Sequence, residues 1–560
     1  MAQSLSQQAP VQLEPRYYLH NFERLCAVVL SQYRDVLLAT ELDFLERFAI
    51  LDRAQQCLYL RLVSRVGPWF RLSALSYEEI GAIEPVARGL VAAGFACWAN
   101  ELTVEELQQL FTRRELADLF AARLAGNVQH CRKAELVEQI AALELLPAEL
   151  WQLTRQAMQD EFLAPLGGEV LALLELLFFG NRRQGLTDFL LSDLGVANPY
   201  PYRIDSEQRF FASRAAVEEY IACGELADAH YQWQESRALE SLQLLAEELL
   251  SVPFEHPSSA RRWQRLCNRI GRDLERAGEL ELALALYRRS ELHPARERSA
   301  RVLEALQDWP AAIALCEDIE KDAWCEDERE AAARMLPRLQ RKAGLAASPR
   351  RRDQFPQLQL IVSPVTGSVE RDTAAALTRD WQQVHYVENK LMCSLFGLAF
   401  WEEIFAAVPG AFHNPYQSVP MDMYEQGFRQ RRQNRIALRL QQLAEVDMAA
   451  ELVAAYHRYR GYQCRWLHWR AVDEELLLAV GRIIPADHLL QIWQRILFDP
   501  GENRRGFPDL IAFGEQPGDY QMIEVKGPGD ALQQSQKRWL RFFAANDIPA
   551  CVAQVSWPDD

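Results

Sequence analysis

Three ionisable residues near the end of the chain flank two short apolar runs. Asp509 precedes the run LIAF, and Glu524 and Lys526 end the run QMIEVK, with the turn-rich segment GEQPGD between the two runs. Such a segment favours a reversal of the chain, so the stretch predicts a β-hairpin. Pairing through this turn brings Asp509 near Glu524. Because side chains alternate along a strand, Glu524 and Lys526 share one face.

This predicted cluster could bind a metal ion and cleave a phosphodiester. Two neighbouring carboxylates repel, so one takes up a proton unless a cation lies between them. Mg²⁺ or Mn²⁺ is the natural occupant of a site made of oxygen ligands. Beside such a cation, Lys526 could orient or deprotonate a water and stabilise a negative phosphate. The arrangement resembles that of the PD-(D/E)xK nucleases; the alternative is a structural ion pair at a strand end.

The segments around the hairpin predict a mixed sheet. A helical pattern, ALQQSQKRWLRFFAAND, and an apolar run, IPACVAQVSW, follow the hairpin. The resulting β-β-α-β order requires a crossover helix. Upstream, FPQLQLIVSPVTG predicts an extended segment.

Glu388 is a further candidate ligand on a predicted long helix that begins at Thr378. It aligns at helical spacing with Val384, Leu391, Met392 and Leu395, which predicts that it projects from the core-facing stripe. A carboxylate there needs a partner, and a metal shared with Asp509 and Glu524 would supply one. Alternatively, Glu388 lies at the edge of the stripe and reaches solvent.

Composition places the chain among ordinary globular proteins of three or four domains. It has 560 residues, 49% of them hydrophobic, and no apolar run near the ~20 residues that span a membrane. The eleven cysteines are scattered without a metal-binding spacing. We therefore expect reduced thiols, no structural zinc, no membrane association and a cytoplasmic location, the bacterial cytosol. The net charge of −17 argues mildly against nucleic-acid binding but leaves local basic patches possible.

The first third of the chain carries patterns typical of DNA-binding modules. Alternating Leu58, Leu60 and Leu62 before a Val-Gly-Pro break predict a short extended element. The arginines around it could form a DNA-facing ridge or a solvated face around a partly buried tryptophan. Two short helical patterns around a Gly-Asn loop, Leu102 to Leu143, resemble a SAP module, although a purely structural helix pair has the same pattern.

The middle of the chain, Glu149 to Lys342, is helical throughout. Two related patterns, LALALYRR and AAIALCED, lie roughly 30 residues apart and resemble a degenerate tetratricopeptide-type solenoid. Such arrays are scaffolds or bind protein partners. A segment rich in Pro, Ser and charge, AGLAASPRRRDQFPQ from Ala343, predicts a linker.

Several motifs together resemble one family. They are VENKLMCSLFGLAFWEEIF, AFHNPYQSVPMDMY, RGFPDLIAF, IEVKGPGD and QQSQKRWL, with CLYLRLVSRVGPWFRLSALSYEEI towards the start. This set resembles the VRR-NUC nuclease domain and the N-terminal region of the Fanconi-associated nucleases. The resemblance implies a structure-selective DNA nuclease with 5′-flap endonuclease and 5′–3′ exonuclease activity in interstrand crosslink repair. The ubiquitin-binding zinc finger of animal members is expected to be absent.

The resemblance also implies roles for individual residues. Metal ligands would be Glu388, Asp509, Glu524 and the carbonyl of Val525; Lys526 would be the catalytic lysine and Gln536 a helix glutamine that lines the site. The basic residues predicted to contact DNA, on the ridge, the SAP-like stretch, the FRQRR segment and the approach to Asp509, are Arg61, Arg65, Arg71, Arg132, Lys133, Arg431, Arg432, Arg504 and Arg505. Amphipathic helices show the same alternation of basic and aromatic residues, so the pattern does not by itself indicate DNA binding.

The predicted fold class is a multidomain protein with mainly α-helical N-terminal and middle regions and a C-terminal α/β nuclease domain on a mixed sheet. The predicted domains are an N-terminal DNA-binding region (1–101), a SAP-like module (102–147), a tetratricopeptide-like region (148–345) and the nuclease domain (346–560). Branched DNA is the predicted substrate, protein partners could bind the solenoid, and the protein would act as a monomer or a DNA-induced dimer. The rival predictions are a junction resolvase or restriction-type endonuclease, and a non-catalytic scaffold.

Overall fold

The computed structural model describes residues 15–65, 67–124, 131–186, 198–252, 254–347 and 353–558. The chain divides into two compact units, residues 1–197 and 198–560. The predicted Gly-Asn loop at Gly126 and Asn127, and residues 348–352 of the predicted linker, lie outside the described residues. Among the described helices none could cross a membrane by itself. One pair bent by 107°, Glu474–Ile483 with Ala486–Phe498, meets the requirement by length and composition alone.

The first unit combines nine described helices with a small antiparallel sheet. The helices are α1 (Tyr17–Tyr33), α2 (Ala39–Ile50), α3 (Arg53–Val63), α4 (Ile83–Ala92), α5 (Val104–Leu110), α6 (Arg113–Phe120), α7 (Lys133–Ala141), α8 (Pro147–Met158) and α9 (Gly168–Phe179). The strands are β1 (Phe70–Arg71), β2 (Ala96–Trp98) and β3 (Phe162–Pro165), in the order β1-β3-β2.

The prediction of an extended element at Leu58–Leu62 is wrong, because these residues lie on α3. The helix begins at Asp52, whose side chain accepts a hydrogen bond from the Gln55 N–H at 2.8 Å, a typical N-cap. Leu58, Leu60 and the intervening Tyr59 are all fully buried. A helix buried on several sides has no polar face, so its sequence loses the helical period.

The predicted SAP-like stretch contains three described helices, α5, α6 and α7. Thr103 and Thr112 cap α5 and α6, each accepting from the N–H of a glutamate three residues on. The capping box at Thr103 begins α5, and the one at Thr112 begins α6 directly after α5 ends. The sequence pattern had indicated a single helix here. Arg132 is the N-cap of α7 and Lys133 its first residue.

The second unit begins with a helical array, as predicted for the middle of the chain. Its helices are α10 (Arg214–Ser236), α11 (Leu239–Ser251), α12 (Pro257–Ala277), α13 (Leu280–Tyr287), α14 (Ala295–Ala305), α15 (Trp309–Lys321) and α16 (Glu326–Lys342). Successive helices pack around a shared core that includes Leu266, Ala283 and Cys316. Gly271 allows α12 to approach α13 closely, since a Cβ there would lie 3.0 Å from the Tyr287 ring.

A mixed five-stranded sheet with helices follows, and it confirms the predicted fold class. Its strands are β5 (Gln357–Ile361), β6 (Gln383–Tyr386), β8 (Leu510–Phe513), β9 (Tyr520–Lys526) and β10 (Ala550–Ser556), in the order β5-β10-β9-β8-β6. The β10 strand runs parallel to β5 and β9, whereas β8 runs antiparallel to β9 and β6. A short parallel pair, β4 (Asn198–Pro199) and β7 (Tyr462–Gln463), lies apart from it.

The helices of this part are α17 (Val369–Leu377), α18 (Glu388–Ala399), α19 (Trp401–Ile404), α20 (Gly427–Arg431), α21 (Gln433–Glu445), α22 (Met448–Tyr459), α23 (Glu474–Ile483), α24 (Ala486–Phe498) and α25 (Gln534–Ala545). The single long helix predicted from Thr378 is therefore wrong. Val384 lies on β6, paired with Ala512, because β-branched and aromatic residues in QVHY favour a strand once a neighbouring edge is available.

The two faces of the sheet pack against different cores. On one face Ile511, Phe513 and Met522 join the large core made with α18, α22, α23 and α24. On the other face Ile523 and Val525 pack with residues of β10 and α17. This alternation confirms the predicted faces of the hairpin and fixes the side on which Glu524 and Lys526 lie.

Candidate active site

The predicted hairpin consists of β8 and β9, and it brings the two carboxylates together. Leu510 pairs with Ile523, so the same register continued by one residue places Asp509 opposite Glu524. The Val525 N–H donates to Asp509 Oδ2 at 2.9 Å, and the N–H groups of Val387 and Glu388 donate to the Asp509 carbonyl at 2.9 and 3.0 Å. Asp509 is thus held by backbone groups from both neighbouring strands.

Glu524 is a buried carboxylate with little compensation from its surroundings. Its side chain is 1% exposed, and Lys526 Nζ lies 2.8 Å from Oε1. Neither Glu524 oxygen accepts a well-aligned hydrogen bond within the described parts of the chain. Burial, followed by the charge of Asp509, raises the Glu524 pKa to about 7, although Lys526 opposes the shift. Burial raises the pKa of Asp509 as well, against the Val525 N–H and Lys526.

Glu388 lies beside this pair because it follows β6, the strand that pairs with β8, and not because it belongs to a helical stripe. It is the first residue of α18, with φ of +45°, a conformation that residues other than glycine rarely adopt. Its carboxylate contacts the Tyr386 hydroxyl at 3.4 Å and Lys390 Nζ at 3.5 Å, and its side chain is 40% exposed. It therefore does not project from a core-facing stripe, and its role as a ligand stays a prediction.

A fourth carboxylate, Glu370, lies near the hairpin and is absent from the residues predicted from the sequence. This residue lies in the first turn of α17 and accepts a hydrogen bond from the Ser368 hydroxyl at 2.7 Å. Its charge, like that of Glu388, contributes to the raised pKa values of Asp509 and Tyr386. No local motif marks Glu370; only the packing of α17 against the sheet brings it to the hairpin.

The remaining predicted site residues are Gln536 and the carbonyl of Val525. Gln536 Oε1 accepts a hydrogen bond from the Gln533 N–H at 2.8 Å and thereby caps α25. The start of α25 packs directly on Gly506, which has φ of +82°, and a Cβ there would lie 2.5 Å from the Ser535 carbonyl carbon. The role of Gln536 in lining the site and the role of the Val525 carbonyl as a metal ligand both stay predictions.

The predicted DNA-contacting arginines divide into paired and accessible groups. Arg432 is the clearest error: it is 2% exposed and binds both oxygens of Asp422, at 2.7 and 3.2 Å. Its Nε and Nη1 also donate to the carbonyls of Glu403 and Phe428, and a guanidinium so buried and paired does not reach a phosphate. Arg431 also binds Asp422 and the Pro409 carbonyl. The spacing of basic residues in the sequence could not distinguish this internal cluster from a DNA-binding surface of the protein.

On the N-terminal ridge two arginines are likewise held internally. Arg61 binds Glu79 at 2.6 Å, and Arg71 binds Asp160 at 3.2 Å as well as Glu115. Both side chains remain partly exposed, Arg61 at 31% and Arg71 at 20%, so their predicted contacts with DNA stay predictions. Arg65, by contrast, is exposed and lies near the Tyr77 ring.

The other predicted contacts stay predictions. Arg132 and Arg505 are exposed, Lys133 is partly exposed, and Arg504 lies with its guanidinium 4.4 Å from the Tyr424 ring centroid. Arg504 and Arg505 lie just before the hairpin in the chain: the Arg504 carbonyl accepts from the Cys393 thiol and the Arg505 carbonyl from the Trp539 indole. Their backbone is therefore anchored, and Arg505 extends into solvent.

The donor set fits a divalent cation in its chemistry. Asp509 and the buried Glu524, whose oxygens lack aligned donors, form a pair of hard oxygen ligands, with Glu388 and Glu370 nearby. Within the described residues, however, no three Asp, Glu, His or Cys side chains converge as a ready-made metal cage.

Three family models match the chain. Residues 16–97 match the model described as FAN1, HTH domain, and residues 101–152 match the Fanconi anemia-associated nuclease SAP domain. Residues 444–557, which contain the hairpin, match the VRR-NUC domain. The SAP and VRR-NUC matches agree with the modules expected from the sequence motifs.

Whole-chain relatives and solved structures show the same similarity. The Fanconi-associated nuclease 1 homolog of Pseudomonas aeruginosa is 35% identical over 99% of this chain and 98% of its own length. The homolog of Arabidopsis thaliana is 25% identical over 96% of this chain and 67% of its own. The crystal structure of paFAN1 bound to 2nt 5′flap DNA with gap has a TM-score of 0.80 and 34% identity, covering 98% of this chain and 100% of that one.

Proposed function

Because this chain belongs to the Fanconi-associated nuclease family, whose members are DNA nucleases, we propose that it cleaves branched DNA with a 5′ flap. The observation that carries this proposal is the buried Glu524 beside Asp509, with Lys526 Nζ at 2.8 Å. Support for the branched substrate comes from the similar paFAN1 structures, which contain 5′ flap DNA. We further propose 5′–3′ exonuclease activity and a role in interstrand crosslink repair in the bacterial cytosol.

Divalent-metal dependence follows from the nuclease family, and Mg²⁺ or Mn²⁺ is the proposed ion. The residues that would hold it are Asp509, Glu524, Glu388 and the Val525 carbonyl. When bound, the ion supplies positive charge for the scissile phosphate and acidifies a water. The remaining catalytic work is proposed for the side chains of the hairpin.

Lys526 is the group proposed to stabilise the developing negative charge. Its side chain is 10% exposed and lies on the same strand face as Glu524, so the ammonium is already oriented when the substrate binds. A cation in such a poorly hydrated site interacts more strongly with a phosphate than one in water. Because Glu524 already holds the ammonium, little reorganisation is needed when the phosphate enters.

The test is cleavage of labelled 5′-flap, 3′-flap, four-way-junction and linear duplex DNA, with and without Mn²⁺. Cutting close to the 5′-flap junction that needs the metal and is lost in Asp509→Ala is the expected result. Preferential cutting of four-way junctions would overturn the flap proposal and favour the resolvase alternative. Absence of cutting by the wild-type chain on all four substrates would overturn the catalytic proposal itself.

A further inference from the structure

A buried ionic network joins the helical array to the catalytic part of the chain. Its acidic side is the start of α16, where Glu326 and Asp327 lie in the first turn and suit the positive end of the helix, and Glu330 lies one turn further along. Its basic side is centred on Arg538 of α25, which is 7% exposed. Arg538 Nε lies 2.9 Å from Glu330 Oε1 and Nη2 lies 3.0 Å from Asp327 Oδ1. Both helices are thus held by one guanidinium.

A second set of contacts ties α16 to the segment that leads into the hairpin. Glu326 is 2% exposed and binds Arg495 Nη2 at 2.9 Å and Asn503 Nδ2 at 3.2 Å. The Glu326 N–H also donates to Asp499 at 3.0 Å. The segment 499–507 therefore contacts the helical array through Asp499 and Asn503. Asn503 lies six residues before Asp509 in the chain.

The same segment rests on α25 at its other side. The Trp539 indole N–H, one residue after Arg538, donates to the Arg505 carbonyl at 3.0 Å. The Trp539 ring stacks on Phe507 with centroids 4.0 Å apart, and Gly506 touches the start of α25. Phe507 immediately precedes Pro508 and Asp509. A displacement of α25 would therefore move the backbone that carries Asp509.

From this continuous set of contacts we propose that Arg538 is a positioning residue for Asp509, and that it transmits the docking of the helical array to the metal site. Arg538 holds α25 against α16, α25 holds residues 505–507 through Trp539 and Gly506, and these residues place the Asp509 carboxylate opposite Glu524. The proposal rests on the metal-dependent function proposed above. It states that an undocked array leaves a correctly folded sheet with a weak metal site.

The test compares Arg538→Gln with Arg541→Gln in the full-length chain. Arg541 lies on the same helix, pairs with Asp353 at 2.7 Å and approaches Glu330 only to 4.0 Å, and its side chain is 41% exposed, so it is the control for loss of an exposed charge from this helix. Mn²⁺ binding to metal-free protein is measured by calorimetry, together with kcat and KM on the 5′-flap substrate. We expect Arg538→Gln to weaken Mn²⁺ binding and lower kcat by roughly ten-fold with an unchanged KM, as for other residues that orient metal ligands.

A charge-swapped pair guards against a trivial loss of folding. Arg538→Glu combined with Glu330→Arg restores one ion pair across the interface, and recovery of Mn²⁺ affinity in this variant supports the proposal. Wild-type affinity in Arg538→Gln, or weak affinity in a fully folded charge-swapped variant, would overturn it. A wild-type chain that neither binds Mn²⁺ nor cuts DNA would instead defeat the proposed function, so the two failures are distinguishable.

Discussion

Two buried carboxylates in the second unit have opposite surroundings. Asp422 is 2% exposed and is bound by Arg432 through both oxygens, with Arg431 as a second partner. Glu524 is 1% exposed; its neighbours are Lys526 Nζ at 2.8 Å and the like-charged Asp509, and neither of its oxygens accepts an aligned hydrogen bond from the described residues. Equal burial therefore accompanies a satisfied structural pair at Asp422 and an unsatisfied carboxylate at Glu524, which fits the functional role proposed for Glu524, because buried polar groups are ordinarily satisfied.

The sharpest test of this comparison is Glu524→Gln. We expect cleavage of the 5′-flap substrate to fall by on the order of a thousand-fold or more, since a ligand of the proposed metal loses its charge. The free energy of unfolding should change little, because removal of a poorly compensated buried carboxylate is offset by the loss of one partner of the buried Lys526 ammonium, which keeps the charge of Asp509 nearby. Cleavage assays and denaturant unfolding measure the two effects. A clear loss of stability would place Glu524 with Asp422.

Asp422→Asn should behave in the opposite way. The substitution leaves the buried Arg432 guanidinium without its counter-charge, so the free energy of unfolding should fall by about 3–5 kcal/mol. Cleavage per folded molecule should change little. Denaturant unfolding measures the first quantity, and cleavage normalised to folded protein measures the second. Unaltered stability would show that the paired cluster is not the structural counterpart of the hairpin.

Lys526→Gln should lower kcat by roughly a hundred-fold, because one positioned charge aimed at the phosphate is lost. Mn²⁺ affinity should remain close to that of the wild type, since Lys526 is not a proposed ligand. Single-turnover cleavage with saturating metal measures the loss, and calorimetry provides the comparison. A variant that cuts at the wild-type rate would reduce Lys526 to a structural partner of Glu524.

His413 tests whether burial without a partner is sufficient to mark function. It is fully buried against Phe210, and burial lowers its pKa to about 4. The folded state therefore binds fewer protons than the unfolded state below about pH 6.5. This residue should cost roughly 2 kcal/mol of stability between pH 6.5 and pH 5, with stability lost as the pH falls.

Comparison of the pH dependence of unfolding between the wild type and His413→Asn measures this cost directly. The slope between pH 6.5 and pH 5 should be shallower in the variant, while cleavage at neutral pH should stay within a few-fold. An identical slope would mean that the folded state accommodates a charged His413. A large loss of cleavage in His413→Asn would show that His413, although buried against an aromatic ring, has a functional role like the one proposed for Asp509 and Glu524.

The smallest effect is expected for Glu370→Gln. Its negative charge raises the pKa of Asp509, so the substitution should lower that pKa. It also removes one negative charge that attracts the cation, so cleavage at limiting Mn²⁺ should fall by only several-fold, as for a charge near but outside the ligand set. A cleavage titration with Mn²⁺ measures the change, with Glu370→Asp as the control that keeps the charge. A loss as large as that of Glu524→Gln would make Glu370 a ligand.

Local patterns were sufficient for the hairpin and insufficient for its surroundings. The turn segment and the alternation of β8 and β9 set the register that pairs Leu510 with Ile523, so Asp509 and Glu524 could be placed together beforehand. The stretch with Val384 and Glu388 was assigned to one helix, because its strand character depends on the β8 edge beside it. Arg432 was assigned to DNA, because its partner Asp422 lies ten residues away in a separate loop.

The sequence by itself determined the chemistry available to this protein: a carboxylate pair and a lysine on one hairpin, and helical modules before it. These features depend on residue type and near neighbours, which are visible in the order of amino acids. Only the tertiary structure decided which charges are satisfied, that Glu370 joins the site, and that Arg538 links the helical array to the hairpin. Burial and ion pairing depend on residues distant in the chain, and packing alone brings them within a few ångströms.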